Sequence, residues 1–385
     1  MTAPVRITGG TTGLRVGVTM FLRDGDQSLW ENGIHQNGLF LLMLLARSSV
    51  VAQSFLIGTG PGLAAAPAGL LGQSPVPVID LATARHSLDV VIELGAQVEL
   101  DWARDFTAAG GRIVSMRVAN DRVIDAERMA FGLPPGMVMD GVPYAEIWTL
   151  PAFAADCGAY YAAGLRAPVR VMPHLWSPVL IDRAAADAGR GPLGYRPGRA
   201  RWRIAVLEPN ICTVKTGHVP LLAADMAHRR DPKAIAELRV FNALQMKTHP
   251  GFVAFARSLD LVRQGLATFE GRYPLFDILG PVCDAVLSHH DRNAQNYLHY
   301  ETLHGGFPLI HNSAMLGGCG YRYADFDPED GGLALLQAIR SHDRALDHYR
   351  AEARRFLRTL DPEAEANVAA FDAALAHLQQ ERIPA

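Results

Sequence analysis

Lysine is nearly missing from this chain. Among 36 basic residues only Lys215, Lys233 and Lys247 are lysines, and the rest are arginine. The bias reads as nucleotide composition of the gene, and it leaves each lysine an uncluttered target for a test. Cysteine is scarce as well. Cys157, Cys212, Cys283 and Cys319 lie far apart with no C-x-x-C pair, which offers neither a zinc site nor a disulfide framework and fits a reducing compartment. There is no excess of one charge. A net charge of −3 gives no electrostatic case for nonspecific nucleic-acid binding, which makes a nucleic-acid partner unexpected. Long hydrophobic runs are missing too: the apolar stretch 38–46 falls well short of the ~20 residues that span a bilayer and reads as a buried helix. The opening MTAPVRITGGTTG has no apolar core behind a basic region, so no signal peptide is expected. The expected location is the cytoplasm, with peripheral contact at the inner membrane left open.

What is present is a large soluble composition, 49% hydrophobic and 19% charged over 385 residues. That length exceeds the roughly 250–300 residues one core supports, so two domains are expected. Short β-branched apolar runs alternate with helical stretches: strands near 15–22, 50–57, 90–94, 112–118, 146–150 and 169–173, helices near 34–47, 96–109 and 153–163. Such alternation predicts a parallel sheet covered on both faces. The stretch 173–202 is rich in Gly, Pro, Arg and Ala, has little periodicity, and reads as a connection. Strand–helix alternation restarts at Trp202 and runs to about residue 310, and residues 342–380 read as helical with a boundary at Pro362. The domains expected are 1–175, a linker 176–201, a second domain 202–345, and C-terminal helices 346–385 that either stay with the second domain or cross back onto the first. The predicted fold class is α/β, with two doubly wound Rossmann-like domains facing across a cleft.

The densest chemistry lies in Ser288–Ser313. Glu301 precedes Gly306 by five residues and Pro308 by seven, and an apolar strand-like run follows. A carboxylate at a loop-to-helix junction can accept hydrogen bonds from ribose hydroxyls, and the adjacent helix N-terminus favours a diphosphate. Gly305 and Gly306 let the backbone turn and approach a ligand closely. An ordinary helix, glycine cap and strand would show the same spacing.

The stretch Y-E-T-L-H-G-G-F-P-L-I-H-N (300–312) resembles the donor-binding segment of GT-B glycosyltransferases. Together with W-E-N-G…Q-N (30–37), it resembles a little-characterised proteobacterial family of GT-B-like glycosyltransferases. The resemblance implies a sugar transferase acting on a nucleotide-diphosphate sugar without a metal or other cofactor. The acceptor would be a glycan, a lipid-linked sugar or a protein, with surface glycan assembly a natural setting. It also implies that the last helix crosses back to the N-terminal domain. One departure bears on stereochemistry: many retaining relatives carry a second Glu eight residues before the one matching Glu301, where this chain has Asn293. Retention and inversion therefore both stay open.

Candidate roles follow. Glu301 would hold the donor ribose, and Lys215, in the loop after the first strand of the second domain, would neutralise the diphosphate as it leaves. Asn210 on the same turn would position or simply form it. His289, Asn293, Asn312 and Tyr297 would contact sugar, phosphate or base. Adjacent histidines at a strand end point in different directions, so no metal site is expected at His289–His290. In the first domain Trp30, Asn32, Gly33, Gln36 and Asn37 would face the acceptor or the transferred sugar, with Gln36 and Asn37 in the first helical turn. Asp24, Asp26, Glu31 and His35 are the candidate bases for an inverting transfer, Glu31 and His35 foremost. Two rival readings remain: a noncatalytic GT-B-like binding or partner protein, and a nucleotide-sugar epimerase that would act on donor alone.

Overall fold

The computed structural model describes residues 13–25, 27–63, 72–136 and 139–380. Asp26, one of the candidate bases, and the opening MTAPVRITGGTT lie outside them. The chain forms two compact units. The first gathers the described parts of Met1–Arg128, Pro134–Ser177 and Leu360–Ala385, and the second those of Met129–Leu133 and Pro178–Thr359.

The first unit is built on seven parallel strands: β1 (Leu14–Phe21), β2 (Val51–Thr59), β3 (Val78–Ile79), β4 (Val90–Gly95), β5 (Arg112–Arg117), β6 (Glu146–Thr149) and β7 (Val169–Val171). Their order is β3-β2-β1-β4-β5-β6-β7. In β1 the residues Val16 to Met20 are all buried, as expected of a central strand covered on both faces and written as an unbroken apolar run. The helix Gly33–Leu45 is buried nearly all round, which explains why its sequence carries no polar stripe. The helix Glu365–Gln380 belongs to this unit as well. Phe371, fully buried, sets its ring edge-on against Trp148 at 5.6 Å, and Asp372 accepts hydrogen bonds from Ser48 and Ser49.

The second unit repeats the plan with β8 (Trp202–Val206), β9 (Ile235–Val240), β10 (Ala267–Phe269), β11 (Ala285–Leu287), β12 (Leu309–His311) and β13 (Tyr321–Arg322), in the order β10-β9-β8-β11-β12-β13. The long helix Pro328–Arg358 lies against the helix His218–Arg230. A Cβ on Gly332 would come within 2.9 Å of the Ala223 carbonyl oxygen, so only glycine permits that approach. The helix starts well before residue 342, because Asp327 caps Glu329 and Asp330 and Pro328 opens the first turn. The stretch read as a linker contains a helix, Val179–Asp187.

One device recurs in both units. Arg15, near the start of β1, donates to Asp89 from its backbone N–H, Nε and Nη2, and Asp89 immediately precedes β4. Arg203, near the start of β8, makes the same three contacts with Asp284, immediately before β11. Each clamp ties the first strand of its unit to the fourth at their amino ends. No helix of the described residues is long and apolar enough to cross a membrane.

Candidate functional site

In sheets of this order ligands bind beyond the carboxyl ends of the strands, where the winding direction reverses. In the second unit that point lies between β8 and β11, and a dense polar group gathers there. Glu208, two residues beyond β8, is fully buried and accepts the His289 backbone N–H through Oε1 at 2.9 Å. Burial raises its carboxyl to about 7, against the opposing pull of the His289 N–H, the Ser288 hydroxyl and Lys215. Lys215 is pulled down by burial and pushed back by Glu208, so the two charges face one another. Sequence reasoning missed Glu208. The signal available was a carboxylate directly after an apolar strand, at a position where burial is rare without a partner.

The histidines beyond β11 are held in defined tautomers. Tyr323, just past β13, donates its one hydroxyl proton to the Ser288 carbonyl at 3.0 Å. It therefore accepts from His289 Nδ1, 2.9 Å away, and the His289 Nε2 lone pair is left buried without a hydrogen-bond partner. His290 Nδ1 accepts the Asn293 N–H at 3.2 Å, so its proton sits on Nε2. Burial holds His289 down to about 4 and His290 to about 3, which keeps both rings neutral at physiological pH. The two rings lie 24° from parallel with centroids 6.5 Å apart, and their Nδ1 atoms turn to different partners, Tyr323 and Asn293. Among the described residues no group of three or more His, Cys, Asp or Glu is placed to hold a metal ion.

The other donor-side candidates fall into supporting positions. Asn210 has φ 54°, and its side chain donates to the Glu208 carbonyl and accepts the Gly217 N–H, both at 2.8 Å. It closes the loop that carries Lys215. Asn312 likewise clasps the chain, accepting the His290 N–H and donating to the His290 and Asp325 carbonyls. Glu301 is not at a helix N-terminus. It is the fifth residue of Tyr297–His304, which Asn296 caps, and it is buried. Tyr297 is buried too, its ring edge-on to Tyr300, so it is packed into the core and presents no open face for base stacking. Gly305 fits tightly against Phe307, and Gly306 turns the chain at φ +68°, a left-handed conformation that favours glycine.

In the first unit the expected acceptor-side residues are largely engaged in local structure. Glu31 accepts the Ser28 N–H in a capping box and pairs with Arg23 at 2.6 Å. Asn32 caps the next helix through Ile34, Gly33 begins that helix, and Trp30 lies in the short 3-10 turn Leu29–Glu31. Gln36 and Asn37 sit beyond the first turn and are buried, and Asn37 donates to the Gly33 carbonyl at 2.9 Å. His35 is buried beside Gln27 and its pKa is lowered, chiefly by burial.

A second polar group, unforeseen from the sequence, lies on the carboxyl halves of β4 and β5 and in the segment that follows β5. Glu93 accepts from the Tyr144 hydroxyl at 2.7 Å and from the Val98 N–H at 3.1 Å, with Arg117 Nη2 at 3.9 Å. Burial raises Glu93 to about 7 and nearby Asp121 to about 6. A charged residue inside the apolar run VVIELG was the available clue. An open depression of about 430 Å³ is lined by Arg47, Ser49, Glu363 and Asp372, among others, and by no residue of either group; Arg47–Glu363 and Ser49–Asp372 already pair across it.

The profile of a family described as "Protein of unknown function (DUF2827)" matches residues 16–375. No curated protein matches the sequence. Solved structures do. HepE of Anabaena, crystallised with UDP and glucose, is 14% identical over 96% of this chain and 100% of that chain, with a TM-score of 0.55. A glycosyltransferase of Rickettsia africae ESF-5 is 10% identical over 96% and 99%, TM-score 0.52. The trehalose-6-phosphate synthase OtsA is 11% identical over 95% and 99%, TM-score 0.58. At such identities the likeness shows the fold alone: α/β, with two parallel-sheet Rossmann-like units of the GT-B type.

Proposed function

The chain belongs to the DUF2827 family, and on that premise we propose that it is a glycosyltransferase moving a sugar from a nucleotide-diphosphate donor to an acceptor. The observation that carries the reading is the polar group at the switch point of the second sheet, where the half-buried Lys215 meets the buried Glu208, His289 and His290. The neighbours of the same fold include one crystallised with UDP-glucose, which supports a nucleotide sugar as the ligand.

In this reading Lys215 is the fixed cation. Its loop is closed by Asn210 and leads directly into the helix His218–Arg230, so the ammonium is held where a departing diphosphate gains charge. A preorganised cation in a water-poor site stabilises that charge without reorganising at the moment of reaction. Glu301 holds the ribose, and the first unit receives the acceptor.

Thermal shift with UDP, GDP, ADP, TDP, CMP and their common sugars tests the proposal, because a ligand that binds only the folded chain raises its apparent stability. The expected result is a shift with one nucleotide family that is lost in Lys215→Met and reduced in Glu301→Ala. No shift with any nucleotide, at concentrations far above ordinary dissociation constants, would turn the assignment to a noncatalytic partner protein.

A further inference from the structure

The inference rests on the donor-site reading and deepens it by naming the class of sugar. Three buried polar atoms at the switch point have no hydrogen-bond partner: Glu208 Oε2, His289 Nε2 and His290 Nε2. They are joined locally, since the other Glu208 oxygen holds the His289 N–H and the two imidazoles are neighbours in near-parallel planes. Leaving such atoms buried and unpaired is costly, so an array of three implies a ligand or water that completes them.

The tautomers decide what that ligand can be. His289 Nε2 is an acceptor because Nδ1 carries the proton toward Tyr323. His290 Nε2 is a donor because Nδ1 already accepts from Asn293. Glu208 Oε2, when ionised, is an acceptor. The array thus offers two acceptors and one donor. A phosphate presents only acceptors and would leave two of the three unpaired while facing a carboxylate. A hydroxyl both donates and accepts, and adjacent hydroxyls on one ring can satisfy all three.

We propose that Glu208, His289 and His290 receive the ring hydroxyls of the transferred sugar, and that this sugar is a neutral hexose and not a hexuronate. The diphosphate lies on the Lys215 side of the group and the hydroxyls on the Glu208 side. A sugar carboxylate would meet the Glu208 carboxylate in a buried setting, a like-charge contact that excludes the wrong donor by repulsion.

The test uses the full chain at pH 8, where the Glu208 carboxyl is ionised. Calorimetry compares UDP with UDP-glucose, UDP-galactose, UDP-N-acetylglucosamine and UDP-glucuronate, on the parent and on E208Q. The expected result is that the best neutral conjugate binds roughly tenfold or more tighter than UDP and than UDP-glucuronate. E208Q should weaken the neutral conjugate more than it changes UDP, and narrow the gap to the glucuronate. If UDP binds but the glucuronate binds as well as the best neutral sugar, the inference is overturned while the donor reading stands. If E208Q weakens UDP itself as much as the sugar conjugate, Glu208 serves the diphosphate side and the inference is likewise overturned. If neither UDP nor GDP, ADP or TDP binds, both readings fall together. The parent comparison needs no variant, so misfolding of E208Q would not shelter the idea.

Discussion

Replacing Glu208 by Gln should make the second unit more stable at pH 8 and change little at pH 5. The Glu208 carboxyl has an ordinary value of 4.5, and burial raises it to about 7. Below pH 4.5 the group is protonated in both folded and unfolded chains and adds nothing to the pH dependence. Between 4.5 and about 7 the unfolded chain releases its proton and the folded chain keeps it, so stability falls as pH rises, and above about 7 the loss is complete. Over that window the loss amounts to about 3 kcal/mol. Gln mimics the neutral acid and cannot ionise, so the variant escapes the loss. Part of the gain is offset because Lys215, itself pushed down by burial and supported by Glu208, loses its counter-charge. A net gain of about 2 kcal/mol at pH 8 relative to pH 5 is expected. The raised Glu93 and Asp121 and the lowered histidines add their own pH dependence, but they are common to parent and variant and cancel in the difference. Pulse proteolysis in urea, with second-unit peptides counted by mass spectrometry, measures the second unit even where the two units unfold separately. An equal stability change at both pH values would refute the argument, since it would mean the carboxyl ionises as freely in the folded chain as in water.

Three further outcomes follow from packing. Asp284→Ala removes the carboxylate that takes three hydrogen bonds from Arg203 and an ion pair from Arg199 at 2.8 Å. Because the Arg203 side chain is partly exposed, the expected loss is at the low end for a broken buried pair, about 3 kcal/mol by urea denaturation, and a loss near zero would show that water replaces the clamp. Phe371→Ala empties a fully buried site against Trp148 and should destabilise the first unit by about 3–5 kcal/mol, with a shift in tryptophan emission on folding; no change would detach the helix Glu365–Gln380 from that core. Gly306→Ala forces a side chain into φ +68° with its Cβ 2.7 Å from Arg350 Nε, and a melting experiment should show a cost of about 1–2 kcal/mol.

Much of the fold was legible because it is written locally. The expected strand 15–22 is observed as Leu14–Phe21, 90–94 as Val90–Gly95 and 112–118 as Arg112–Arg117, each an apolar run whose burial on both faces leaves no alternation to misread. The start of the helix at Pro328 was legible in D-P-E-D, an N-cap, a proline and first-turn acids, but the reading began only where the Ala/Arg/Glu/Leu pattern became dense. The site was harder. Glu301 was chosen by spacing, and spacing cannot say that Asn296 begins the helix and places Glu301 a full turn inside it. Glu208 and His289 are 81 residues apart. They meet only because β8 lies beside β11, a neighbour relation set by strand order and invisible in any window of sequence. Asn210 and Asn312 looked like ligand contacts for the same reason that they serve the loops: a side-chain amide that can clasp two backbone groups could equally clasp a sugar.

The repeated clamp helps explain why such groups collect where they do. Arg15–Asp89 and Arg203–Asp284 fasten the first and fourth strands of each unit at their amino ends, and the connections leave those strands in opposite directions at their carboxyl ends. A pair of strands pinned at one end and parted in connectivity at the other opens a crevice at the far end alone. Buried polar side chains gather at β4 and β5 in the first unit and at the β8–β11 crevice in the second, with different chemistry. The first sets Glu93, Arg117 and Asp121 together, a group rich in charge. The second sets two neutral imidazoles and one carboxylate beside a single lysine. Uncharged rings whose tautomers are fixed by Tyr323 and Asn293 suit the reading of hydroxyls, which differ in direction more than in charge. The lone cation suits one leaving diphosphate. The division of labour proposed for Lys215 and for the Glu208–His289–His290 array thus separates, within the second unit, one cation from a set of oriented hydrogen-bonding groups.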